Sequence, residues 1–178
     1  MTTMTTDRAA REGTRDAERV LDATWRTGGA TPLSVDVLRI AASLGVKVRE
    51  KPLDDEGLAG ALVKRAGEDP VVVVHRDDSP SRKRYTCAHA LGHFVQRSDS
   101  PGEYEFYDGR EIFAPGVAEP AEAYANAFAD ALLMPEREVR RLVADGYYDL
   151  ELALAFHVAR DLVHRRLAAL GIPRAKAG

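Results

Sequence analysis

Along this chain the spacing of hydrophobic positions switches from helical to strand-like and back again. From residue 7 to about residue 27 it is helical, and Ala10, Ala17, Val20, Leu21 and Trp25 share one face. Gly28 and Gly29 end that helix, and residues 1–6 before it form a polar tail. Ser34 is placed to cap a second helix. Its apolar stripe is Val37, Leu38, Ile40, Ala41 and Leu44, and Gly45 closes it. Residues 46–49 then alternate, 60–64 form a short apolar segment, and 71–74 are an unbroken valine run that reads as a buried strand. Their spacing predicts a small meandering sheet.

Helical spacing returns after Ser79 or Ser81 and runs to about Gln96. Residues 99–115 are polar and aromatic, which predicts a long loop with a strand at 104–107. An alanine-rich helix is expected over 120–134. Pro135 can start the next helix at its first position, and Asp149 can cap another. Gly171 and Pro173 stop the last helix near Leu170. Helices, then sheet, then helices predict an α+β domain spanning residues 7–172, with tails at 1–6 and 173–178.

The 178 residues suit one domain, with 45% hydrophobic and 30% charged positions. A net charge of -3 gives no global reason to expect direct nucleic-acid binding. The single cysteine, Cys87, permits no internal disulfide. The opening segment lacks the apolar core of a signal peptide, and no apolar run is long enough to span a bilayer. The expectation is a cytoplasmic protein without a membrane partner.

His89 and His93 are four residues apart on an expected helix, which puts both imidazoles on one face. Two such nitrogens can bind one zinc ion at about 2.0–2.1 Å each. The plain alternative is a polar pair on an exposed helix. Ala88, Leu91, Phe94 and Val95 argue against it, since they surround the pair with apolar residues. Gly92 argues against it too. A mid-helix glycine costs about 1 kcal/mol relative to alanine, and the gain is close approach of another segment. Glu122, on the later helix, is the third ligand by this reading. Asn126, one turn on, is placed to orient a histidine through its non-ligating nitrogen. Glu119 is the rival ligand, but it precedes Pro120 and falls in a loop.

These segments, RYTCAHALGH and then EAYANAFADALLMP, resemble the ImmA/IrrE group of metallopeptidases. That group carries an RFTLAHELGH-like segment followed by an ExxANxFAxxLLMP-like one. The resemblance runs from about residue 35 to residue 172 and implies a zincin-like fold. It implies that His89, His93 and Glu122 hold zinc. It further implies a cytoplasmic endopeptidase whose substrate is a helix-turn-helix transcriptional repressor.

One position departs from the group. Ala90 stands where the group has glutamate, the general base that takes a proton from the attacking water and passes it to the leaving amine. Alanine can do neither, so the chain as written is expected to be inactive. One explanation is deliberate replacement of a catalytic glutamate. The other is a natural pseudoprotease, a zinc-stabilised module that sequesters a regulator without cutting it.

Other candidates receive plainer readings. Cys87 lies about 200° around the helix from His89 and reads as a small buried hydrophobe. His75 reads as a surface residue. His157, His164 or one of Tyr104, Tyr107, Tyr124, Tyr147 and Tyr148 is available to stabilise an oxyanion. Arg82, Lys83 and Arg84 read as a solvated charge run. The closing helices, with Arg160, Arg165 and Arg166, read as packing or partner-binding elements. A substrate strand would lie along a sheet edge at 71–74 or 104–107.

Overall fold

A computed structural model describes residues 5–26, 32–98, 102–110 and 119–173. Thr5 caps α1 (Thr6–Thr24), whose buried face is Ala9, Gly13, Ala17, Val20 and Leu21. Ala9 and Gly13 thus take the place expected of Ala10. Gly28 and Gly29, expected to end the helix, lie outside the described residues. The short α2 (Val37–Ser43) is capped by Asp36, whose carboxylate accepts from the Leu38 and Arg39 amides. Ser34 is not the cap. Its hydroxyl lies 3.3 Å from His157 Nδ1, and Asp36 is the residue immediately before the first helical turn.

The sheet comprises β1 (Lys47–Lys51), β2 (Leu58–Lys64), β3 (Val71–His75) and β4 (Tyr104–Gly109), in the order β1-β3-β2-β4. The expected meander is therefore corrected. β1 skips its sequence neighbour and pairs with β3 in parallel, while β2 pairs antiparallel with β3 and β4. The valine run of β3 is central, yet only Val72 and Val74 are buried, so the strand is covered more fully on one face than on the other.

α3 (Pro80–Gln96) starts at Ser79, whose hydroxyl accepts from the Arg82 amide. Every residue from Tyr85 to His93 is buried. A helix buried all round belongs in the middle of a domain. Here it lies between the inner sheet face and α4 (Pro120–Leu133). Gly60 on β2 permits the sheet contact, because a Cβ there would stand 2.7 Å from the Val73 carbonyl oxygen and collide with the Thr86 methyl. α4 also packs along α1.

α5 (Glu136–Ala144), α6 (Asp149–Phe156) and α7 (Arg160–Ala169) complete the described elements. Pro135 and Tyr148 are the cap residues of α5 and α6, so α5 starts one residue later than a first-position Pro135 implies and α6 one residue earlier than an Asp149 cap implies. Phe128, Phe156, Leu21, Leu62, Leu91 and Leu132 are among the largest fully buried side chains. His89 and His93 are buried with them. Among the described residues no helix is long and apolar enough to cross a membrane.

Candidate metal centre

The centre is built on two helices held unusually close. Gly92 faces α4, where a Cβ would stand 2.9 Å from the Ala125 Cα. This is the close approach that a glycine between the histidines predicts. It brings the first turn of α4 over the histidine face of α3. His89 and His93 are both 0% exposed, and their Nε2 atoms are 3.1 Å apart. Glu122 reaches them from α4. Its Oε2 is 3.3 Å from His89 Nε2 and its Oε1 is 3.2 Å from His93 Nε2.

A fourth group, absent from the sequence reading, joins them. Asp108 is 2% exposed, and its Oδ1 lies 3.4 Å from His89 Nε2 and 4.0 Å from His93 Nε2. Its position follows from strand alternation. Tyr104, Phe106 and Asp108 occupy one face of β4, opposite Lys64, Leu62 and Gly60 of β2. A register shift between Leu58 and Gly60 re-aims the end of the pair. Phe106 stacks on the His93 ring with centroids 4.4 Å apart and planes 9° from parallel. The sequence signal for Asp108 was a carboxylate on the apolar face of an aromatic strand.

The charges respond to this crowding. Burial alone would lower the pKa of His89. Hydrogen bonding to Asp108 and Glu122 outweighs it and pushes the value up to about 9. Hydrogen bonds to His89 and His93 hold the Glu122 carboxyl well below the usual carboxylate range. His89 Nδ1, His93 Nδ1 and Asp108 Oδ2 are buried without a hydrogen-bond partner among the described residues. Two convergent imidazole nitrogens flanked by two carboxylates form a donor set that suits a zinc-sized cation. His89, His93 and Asp108 alone already place three ligand atoms within 4.8 Å of one another.

The remaining candidates find other partners. Asn126 does not orient a histidine. Its Oδ1 accepts from the Tyr85 hydroxyl at 2.9 Å, one turn before His89 on α3. One turn along α4 from Glu122 carries Asn126 past the rings to the preceding turn of the antiparallel helix. Glu119 is the exposed cap residue of α4 and makes no capping bond. Cys87 is 2% exposed, and burial pushes its thiol up to about 12. Ala90 is fully buried in the hydrophobic core.

His75 Nδ1 accepts from the Asp77 amide, which makes it a turn residue. His164 Nε2 lies 2.6 Å from Asp149 Oδ2. Tyr124 donates to Asp16, and Tyr107, 60% exposed, donates to Glu105. Arg82 donates to the Arg110 carbonyl, Lys83 pairs with Glu50, and Arg84 donates to the Val35 carbonyl. These three cations therefore pin the start of α3, and the reading of a solvated run is corrected. Arg165 grips Asp130 with two bonds of 2.7 and 2.6 Å, and Arg166 donates to the Met134 carbonyl. Both arginines thus pack α7 against α4 and its C-terminal end. Of the two expected sheet edges, residues 71–74 are central. β4, which carries Phe106 and Asp108, is an edge.

Comparison with known proteins agrees with this architecture. The family described as an IrrE N-terminal-like domain, a peptidase family, matches residues 41–168. No curated protein matches the chain. Among solved structures, a Mycobacterium tuberculosis transcriptional regulator is similar at a TM-score of 0.63 and 22% identity. The match covers 94% of this chain and 50% of that one, so the chain spans half the regulator's length. At this identity the likeness bears on the fold.

Proposed function

The chain belongs to the IrrE N-terminal-like family of metallopeptidases, which is zincin-like in fold, and from that premise we propose that it is a zinc endopeptidase scaffold lacking its general base. The observation that carries the proposal is the convergence of His89, His93 and Glu122, whose facing atoms are 3.1–3.3 Å apart. These three side chains would hold Zn2+. Zinc bound there supplies Lewis acidity toward a peptide carbonyl and toward water.

The chain's own residues do the rest. α3 and α4 bring the two imidazoles and the carboxylate together, because Gly92 lets the two helices approach closely. Phe106 holds the His93 ring flat and keeps water from its face. Among the described residues β4 is an edge strand, where an extended segment of another protein can add as a strand. Ala90 holds no proton and moves none. The substrate class is a regulatory protein, a helix-turn-helix repressor by family resemblance. The similar fold of a transcriptional regulator fits that setting. The place of action is the cytoplasm.

A second reading is a natural binding module that sequesters a regulator intact. The lack of a proton-transfer group at Ala90 favours it, because the chain as written can hold a regulator without cutting it. Recognition itself is tested by mixing the purified chain with a panel of helix-turn-helix repressors. A complex on size exclusion that is lost with chelator supports both readings. No complex with or without zinc overturns them.

A further inference from the structure

Asp108 has no role in the scheme above, yet it is a buried carboxylate facing the ligand nitrogens. We infer that Asp108 is a fourth protein ligand that closes the coordination sphere and makes this a structural metal site. The inference rests on the reading that His89, His93 and Glu122 hold zinc.

Geometry supports it first. In a tetrahedral site with bonds of about 2.0–2.1 Å, ligand atoms stand roughly 3.3–3.4 Å apart. The separations are 3.1 Å between the histidines, 3.3 Å from Glu122 Oε2 to His89, 3.2 Å from Glu122 Oε1 to His93, and 3.4 Å from Asp108 to His89. The edge from His93 to Asp108 is longer, at 4.0 Å. Asp108 therefore stands where a water or a substrate carbonyl would stand in an open site.

Its side of the rings matters as much as its distance. A carboxylate that merely orients a metal-binding histidine bonds the ring nitrogen that faces away from the metal. Asp108 faces Nε2, the nitrogen that converges with Glu122, while both Nδ1 atoms lack a partner among the described residues. A carboxylate acting as a substitute base would need a water between itself and the ligands. A separation equal to one tetrahedral edge leaves no room for one.

Charge agrees. Two neutral imidazoles and two carboxylates balance a divalent cation, whereas a set with Glu122 alone leaves a net positive charge. Three of the four side chains are at most 2% exposed, and a buried uncompensated charge is costly. Closure also accounts for Ala90, because a site with no open position has no use for a general base.

The test uses the full chain loaded with Co2+ and read by visible absorption, with azide as the probe for an open position. The parent should bind cobalt with intense tetrahedral bands that azide does not change. Asp108→Ala should bind cobalt more weakly and gain an azide-dependent shift. Asp108→Asn keeps the side-chain volume, so its weakened cobalt binding stands in if the alanine variant fails to fold. An azide shift in the parent, or unchanged cobalt affinity in both variants, overturns the closed site and leaves the three-ligand reading intact. A parent that binds no cobalt overturns both.

Discussion

Gly92 and Ala125 meet where α3 and α4 leave no space for a side chain: a Cβ on Gly92 would stand 2.9 Å from the Ala125 Cα and 3.2 Å from its carbonyl oxygen. Two effects oppose each other in Gly92→Ala. Alanine gains about 1 kcal/mol of helix propensity. Overpacking against a backbone that cannot rotate away costs about 1–3 kcal/mol. The second wins, because the clash is with main chain. Gly92→Ala should lower stability by up to about 2 kcal/mol in urea unfolding. It should also weaken zinc binding, since α4 carries Glu122. A stabilised variant would mean that the helices are free to separate.

Metal content gives the most direct check on the ligands. The parent should carry about one zinc per chain, the stoichiometry of a single closed ligand set. His93→Ala and Glu122→Ala should each lose most of it by elemental analysis after dialysis. Ala90 contributes no ligand atom, so the parent's zinc does not depend on it. Equal zinc in parent and His93→Ala would remove the assignment.

Much of this was legible in the chain. The i, i+4 spacing of His89 and His93, with glycine between, fixed both the face and the close approach. Glu122 followed from a second helix. Three things were not legible, each for a physical reason. Asp108 lies on a strand, and strand pairing is a long-range fact that local spacing does not contain. The parallel pairing of β1 with β3 depends on a crossover, not on the strands' own sequences. Asn126 has the right helical face for a ring, but the antiparallel run of α3 and α4 delivers it to Tyr85.

Cys87 makes a prediction about pH. Burial raises the thiol from 9.0 to about 12 in the folded chain, so the unfolded chain loses its proton first. Above pH 9 the unfolded state therefore binds fewer protons, and stability falls as pH rises from about 9 toward 12. The contribution is fully present below that window. Urea midpoints measured at pH 8 and pH 10 should drop more for the parent than for Cys87→Ala. The folded parent should also resist alkylation by iodoacetamide at pH 8 and become reactive on unfolding. Rapid labelling of the native chain would contradict the burial.

Position 90 separates a disabled enzyme from a site built without chemistry. Restoring glutamate returns a positioned acid–base group, worth about 10²–10⁴-fold in rate where a substrate can reach the metal. Glutamate is a good helix former, but Ala90 is fully buried in the core. The larger side chain should cost about 1–3 kcal/mol of stability. If Asp108 occupies the fourth position, the carboxylate has no water to act on. Ala90→Glu alone should then fold, bind zinc and leave the co-expressed repressor-like protein intact. Ala90→Glu combined with Asp108→Ala opens the position and supplies the base together, so this pair should give zinc-dependent cleavage. Cutting by Ala90→Glu alone would show that Asp108 yields its place to substrate, and the chain would then be an inactivated peptidase. Silence from both variants, with zinc and partner still bound, would make sequestration the function of the fold.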